Sequence, residues 1–180
     1  MSLLESVFAA TAHNRQGALL CTGLAAEAAV FEAAAAEVSR GEPVPLFYAE
    51  NGYGGTGQLI QDVLDANRVL AATPLPVMDA GGQTLVDHVL ARLEHGEGGP
   101  AVVFVEPPTT PQLQVHDFGR LMAGLRAYRS RTGHVVPVLV DTTMAPLYPL
   151  FALDFARDWP FLIVKSGSKY FTRGKATLGV

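Results

Sequence analysis

The chain has 180 residues, 49% of them hydrophobic, and its 13 Lys+Arg against 17 Asp+Glu leave a formal net charge of −4. That length and apolar fraction suit one domain with a sizeable core, spanning residues 1–180. The charges are interspersed, so neither nucleic acid nor a membrane surface is expected as a partner, and no apolar run approaches the length of a bilayer span. A single cysteine, Cys21, excludes an internal disulfide framework, and the first residues, Met1 to Ser6, lack the basic start and apolar stretch of a signal peptide; a soluble, cytoplasmic protein is expected.

In chain order, apolar strand-like runs fall at Ala18–Cys21, Pro45–Ala49, Leu75–Met78, Ala101–Val105, Val135–Val140 and Phe161–Val164, and Ala176–Val180 reads as a short seventh strand. Helical patterns lie between them at Leu24–Val38, Gly57–Ala72, Gly82–Leu93 and Val115–Thr132. The strand runs are continuously apolar rather than alternating, which predicts a sheet covered on both faces. Strand–helix alternation predicts parallel pairing through crossovers. The expected fold is therefore α/β, a doubly wound, mostly parallel seven-stranded sheet with helices on both faces. Glu94–Pro100 reads as a surface loop within it.

Ligands of such sheets collect at the carboxyl ends of the strands. The polar and glycine residues of this chain are concentrated there: Thr22-Gly23, Glu50 to Thr56, Glu106 to Pro111, Asp141-Thr142-Thr143 and Ser166 to Lys169. Thr22-Gly23-Leu24 opens a helix whose first amides suit an anionic phosphate, although taken alone an ordinary threonine N-cap is the commoner explanation of Thr22. Ser166 and Ser168 add hydroxyl donors. Asp141 ends the most apolar strand, where a carboxylate needs a partner such as a protonated ring nitrogen, unless it serves only as a cap or turn residue. Lys169 follows an apolar strand run; taken alone, a strand-end lysine is more often a solvated surface charge, but desolvation in a pocket there would make its amine a usable nucleophile.

Gly52, Gly54 and Gly57 match G-x-G-x-x-G, and Asp79 ends the next apolar run, so an NAD(P)-binding Rossmann oxidoreductase is an alternative. The motif follows the second strand run rather than the first, Tyr53 fills its first spacer, and it leaves Asp141 and Lys169 without roles. The five histidines are scattered and no metal ligands are predicted; Gly-x-Ser-x-Gly is absent.

Taken in order, these motifs resemble the Cys/Met-metabolism family of pyridoxal-phosphate enzymes (cystathionine γ-synthase/lyase-like, fold type I), from about Thr22 to Lys169. The strongest block is Val138 to Ala145 followed by Ser166-Gly167-Ser168-Lys169-Tyr170, similar to the family's strand ending in Asp-Asn-Thr and its Ser-Ala-Thr-Lys-Tyr segment. Tyr53-Gly54-Gly55-Thr56 matches Tyr-Gly-Gly-Thr, and Glu106 to Pro111 approximates Glu-x-Pro-x-Asn-Pro. The resemblance implies pyridoxal 5'-phosphate as cofactor, with Lys169 as the Schiff-base lysine and general base, Asp141 as partner of the pyridine nitrogen, and Tyr53 as the aromatic stacked on the ring. It implies a phosphate cradle from Thr22, the amides of Gly23 and Leu24, and Ser166 and Ser168, with Thr143 beside the cofactor.

The implied function is elimination or replacement, of C–S lyase or synthase type, on a sulfur-containing or similarly substituted amino acid. Thr110 and Thr142 stand where the family has asparagines, and Phe171 to Ala176 replaces Leu-Gly-Gly-His-Ser-Asp. Family members are roughly twice as long, so the resemblance covers only the large domain, and the C-terminal small domain is expected to be missing. A homo- or hetero-oligomer whose companion supplies it is expected. The competing expectation is a non-catalytic, degenerate domain acting in subunit assembly.

Overall fold

A computed structural model of the chain describes residues 17–39, 41–65, 70–96, 98–148, 150, 153 and 159–180; Met1 to Ser6 lie outside them. Five strands form one sheet: β1 Val44–Ala49, β2 Leu70–Leu75, β3 Val102–Val105, β4 Val138–Asp141 and β5 Phe161–Val164. Their spatial order is β2-β1-β3-β4-β5 and every pairing is parallel. The helices are α1 Gly23–Val38, α2 Gly54–Leu59, α3 Leu85–His95, α4 Phe118–Thr132 and the single turn α5 Gly167–Tyr170. α2 runs on into a wider π-helical stretch, Ile60–Asp65.

Alternation along each strand divides the core into two layers. Phe47, Val103, Val105, Val138 and Val140 face one side, where Leu85, Val86, Val89 and Leu93 of α3 and Leu121, Met122 and Leu125 of α4 cover them. Val44, Leu46, Tyr48, Val102, Phe104 and Leu139 face the other, against Phe31, Ala34 and Ala35 of α1 and Ile60 and Leu64 of the π-helical stretch. Phe31 meets Phe104 edge to face, with ring centroids 5.2 Å apart. Helix starts follow local capping chemistry: Thr84 and Asp87 form a capping box at α3, and Asp117 accepts from Arg120 N at α4.

The α/β class, parallel pairing and two covered faces are as predicted; the strand count is not. Five segments, not seven, reach strand length among the described residues. The run at Ala18–Cys21 contributes only a bridge at Leu20, and the Ala176–Val180 run only bridges through Gly179, antiparallel to Leu20 and to Ser166. A side chain at Gly179 would collide with the Thr22 carbonyl, so this crossing admits only glycine. The strand predicted at Leu75–Met78 lies instead at Leu70–Leu75, overlapping the end of the predicted Gly57–Ala72 helix. β2 is an edge strand, buried chiefly at its two ends, and it tolerates Pro74 for that reason. Among the described residues no helix is long and apolar enough to cross a membrane.

Candidate active site

β1 leads to β2 on one side of the sheet, whereas β3 leads to β4 on the other. Where neighbouring strands send their connections in opposite directions, a crevice opens outside their carboxyl ends. A cavity of about 330 Å³ lies against these turns, and its lining comes from the segments that follow Leu20, β1, β3, β4 and β5.

All nine residues singled out from sequence, Thr22, Gly23, Leu24, Tyr53, Asp141, Thr143, Ser166, Ser168 and Lys169, line this one cavity. Thr22 is the N-cap of α1, its hydroxyl accepting from Ala25 N at 3.0 Å. The first-turn amides of Gly23 and Leu24 have no acceptor within the helix and carry its positive dipole end. A Cβ at Gly23 would sit 2.8 Å from Ser166 Cβ, so glycine lets the α1 start approach the Ser166 turn. There the Ser166 and Ser168 hydroxyls lie 2.7 Å apart. Thr143 ties two walls together: its N–H donates to Asp141 Oδ1 at 2.7 Å, and its hydroxyl accepts from Ser166 N at 2.7 Å.

Tyr53 stands at the cavity mouth, 40% exposed, with Lys169 Nζ 5.5 Å from its ring centroid. The expectation of a desolvated Lys169 is not met: the residue, on the single turn α5, is exposed. The buried lysine is Lys165, whose amine burial holds below the usual lysine range.

Beneath the mouth lie three acids. Glu106 is 4% exposed and grips the Tyr53 loop, its two oxygens accepting from Tyr53 N at 2.9 and 3.0 Å. Glu27 of α1 is 3% exposed, and Thr56 Oγ1 donates to its Oε2 at 2.7 Å. Burial, reinforced by Asp141, pushes the Glu27 carboxyl up to about 8 against the opposing bond from Thr56. Glu106 is pushed up to about 7 by burial, with hydrogen bonds from Tyr53 and Thr110 opposing and Asp141 adding to the rise. Asp141 is raised by burial, with hydrogen bonds from Thr143 opposing. Among the described residues no group of three His, Cys, Asp or Glu is placed to hold a metal ion.

Glu27 was not foreseen as a site residue. The available signal was its place in the buried stripe of α1, Gly23, Ala26, Glu27, Phe31, Ala34 and Ala35, where a carboxylate interrupts an apolar face. The glycine loop also has a local purpose. A Cβ at Gly52 would lie 2.9 Å from Glu106 Oε1, so glycine lets this loop pack directly against that carboxyl.

These groups fit a small molecule that is anionic at one end and cationic at a ring nitrogen: helix amides and two serine hydroxyls at one side, a buried carboxyl at the other, an amine and an aromatic at the mouth. The family model described as "Cys/Met metabolism PLP-dependent enzyme" matches residues 1–179. No curated protein sequence matches the chain. Among solved structures, MetB from Corynebacterium glutamicum superposes with a TM-score of 0.70 at 22% identity, over 98% of this chain and 40% of that one. Cystathionine γ-lyase from Lactobacillus plantarum, complexed with L-serine, superposes with a TM-score of 0.67 at 21% identity, again over 98% and 40%. The chain thus spans about 40% of the length of these structures, which share its fold.

Proposed function

Because the chain belongs to the Cys/Met metabolism family of PLP-dependent enzymes, we propose that it is the cofactor-binding portion of an enzyme that eliminates or replaces a substituent on a sulfur-containing or similarly substituted amino acid, in the manner of a C–S lyase or synthase. The observation that carries this reading is the convergence of nine chemically suited residues, from four separate turns of the chain, on one cavity. Pyridoxal phosphate, when bound, supplies an electron sink for the bonds around the amino-acid α carbon.

The chain's own residues have distinct tasks. The amides of Gly23 and Leu24, with Ser166 and Ser168, bind the phosphate. Thr22 sets the start of the helix that presents those amides. Asp141, poorly solvated, is matched to a protonated ring nitrogen, and Thr143 holds its carboxyl in place. Tyr53 covers the ring at the mouth. Lys169 is the covalent anchor and the base that moves the α proton. A companion chain or oligomeric contact supplies the grip on the substrate carboxylate. The protein works in the cytoplasm.

The test is to reduce the full chain with borohydride in the presence of pyridoxal phosphate and map the label. It should fall on Lys169 and vanish in Lys169→Ala. Labelling shared with Lys165 and Lys175, or none at excess cofactor, would sink the reading. The exposure of Lys169 favours a second reading, a non-catalytic domain acting in subunit assembly. Full activity of the assembled protein after Lys169→Ala would bring that one forward.

A further inference from the structure

We propose that Glu27 is a positioning residue for Tyr53: by holding Thr56 it fixes the first turn of α2 and, through it, the aromatic ring at the mouth of the cavity. That Tyr53 covers a cofactor rests on the function proposed above; that Glu27 holds Tyr53 does not.

The chain of contacts is short. Glu27 and Thr56 are 3% and 2% exposed, 29 residues apart in sequence, and joined by a 2.7 Å hydrogen bond. The N–H groups of Thr56 and Gly57 both donate to Tyr53 O, at 3.0 and 3.1 Å, so holding Thr56 holds the Tyr53 backbone. The Tyr53 ring lies back over the same turn: a Cβ at Gly55 would stand 2.6 Å from Tyr53 Cε1. Glu106 secures the other side of the turn through Tyr53 N. Tyr53 itself has no side-chain cap holding α2, which leaves that anchoring to the two glutamates.

Glu27 also lies one turn along α1 from Gly23. A single helix therefore presents the amides to the cavity at its start and, one turn on, holds the turn that carries the aromatic at the mouth. The rigid rise of that helix fixes the spacing between the two. A carboxyl that stays protonated accepts the Thr56 bond without burying a net charge, which suits an anchor placed beside Asp141 and Glu106.

Hydrogen–deuterium exchange over residues 52–59 of the ligand-free full chain tests the anchor directly. Glu27→Ala and Thr56→Val should each speed exchange in this segment by several-fold to about tenfold, the loss of one buried hydrogen bond. Glu27→Gln, which still accepts from Thr56, should stay within about twofold of the parent at pH 5, where the parent carboxyl has no ionisation cost to escape. The affinity for pyridoxal phosphate should follow the same order. Unchanged exchange in Thr56→Val overturns the proposal even if Glu27→Ala fails to fold, and so does a Glu27→Gln variant as fast as Glu27→Ala. A parent chain that shows the exchange pattern but binds no pyridoxal phosphate keeps the anchor and refutes the cofactor reading.

Discussion

Replacing Glu27 by glutamine should stabilise the protein, by an amount that grows with pH. In the unfolded chain the Glu27 carboxyl ionises near 4.5; in the folded protein burial beside Asp141 defers ionisation to about 8. Between those values the unfolded state has released a proton that the folded state keeps, so stability falls as pH rises through the window. One retained proton costs about 1.4 kcal/mol for each tenfold fall in proton activity. From 4.5 to pH 7 that amounts to about 3 kcal/mol, approaching about 5 kcal/mol by pH 8. Glutamine keeps the shape and the acceptor but never ionises, so Glu27→Gln escapes this cost. Burying its amide takes back part of the gain, leaving about 2 kcal/mol at pH 7. Urea unfolding of parent and variant, followed by circular dichroism at pH 5, 6, 7 and 8, measures it. The difference should be near zero at pH 5 and widen steadily. Parallel curves across that range would show that Glu27 is ionised in the folded state, and the reasoning about the buried acids would fail.

Asp141→Asn should weaken pyridoxal phosphate binding by about tenfold or more, the loss of a charge-assisted contact in a desolvated site, as read from equilibrium dialysis; unchanged affinity would remove Asp141 from the site. Gly23→Ala puts a methyl 2.8 Å from Ser166 Cβ and should spread the α1 start from the Ser166 turn. Affinity for pyridoxal phosphate and for inorganic phosphate should fall together, which competition dialysis checks.

Strands β1, β3 and β4 were legible because each is a continuous apolar run that is almost wholly buried, and the edge strand β5 because its run is continuously apolar although only Val164 is fully buried. β2 was not, because an edge strand needs burial only at Leu70 and Leu75, and Thr73 and Pro74 break its apolar continuity. The flanking segments around Leu20 and Gly179 pair through single bridges, which leave no periodicity to read. At the site, the strand-end motifs identified which residues gather, since topology alone brings them together. Burial was harder to read. Lys169 sits at the foreseen strand end yet, on the single turn α5, is exposed. Glu27 lies in an alanine-rich helix where small residues blur the apolar face, and its partner Thr56, on another element, is not visible from the local sequence.

The bridges at Gly179 also bear on how the cavity comes into being. Leu20 and Gly179 exchange backbone hydrogen bonds at 2.8 and 3.0 Å, Lys165 and Val180 do the same at 2.8 and 3.0 Å, and Gly167 N donates to Leu178 O at 2.8 Å. Residues from the two far ends of the described chain thus clasp the Thr22 turn to the Ser166 turn. Closing so long a loop carries the largest entropic cost of any pairing in the fold, so it is worth forming only once the shorter-range pairs are in place. The α3–α4 side of the core uses residues that all precede Gly179, whereas the clasp between the Thr22 and Ser166 turns needs Leu178, Gly179 and Val180. The two walls of the cavity at Thr22 and Ser166 are therefore held together by the longest-range pairing among the described residues.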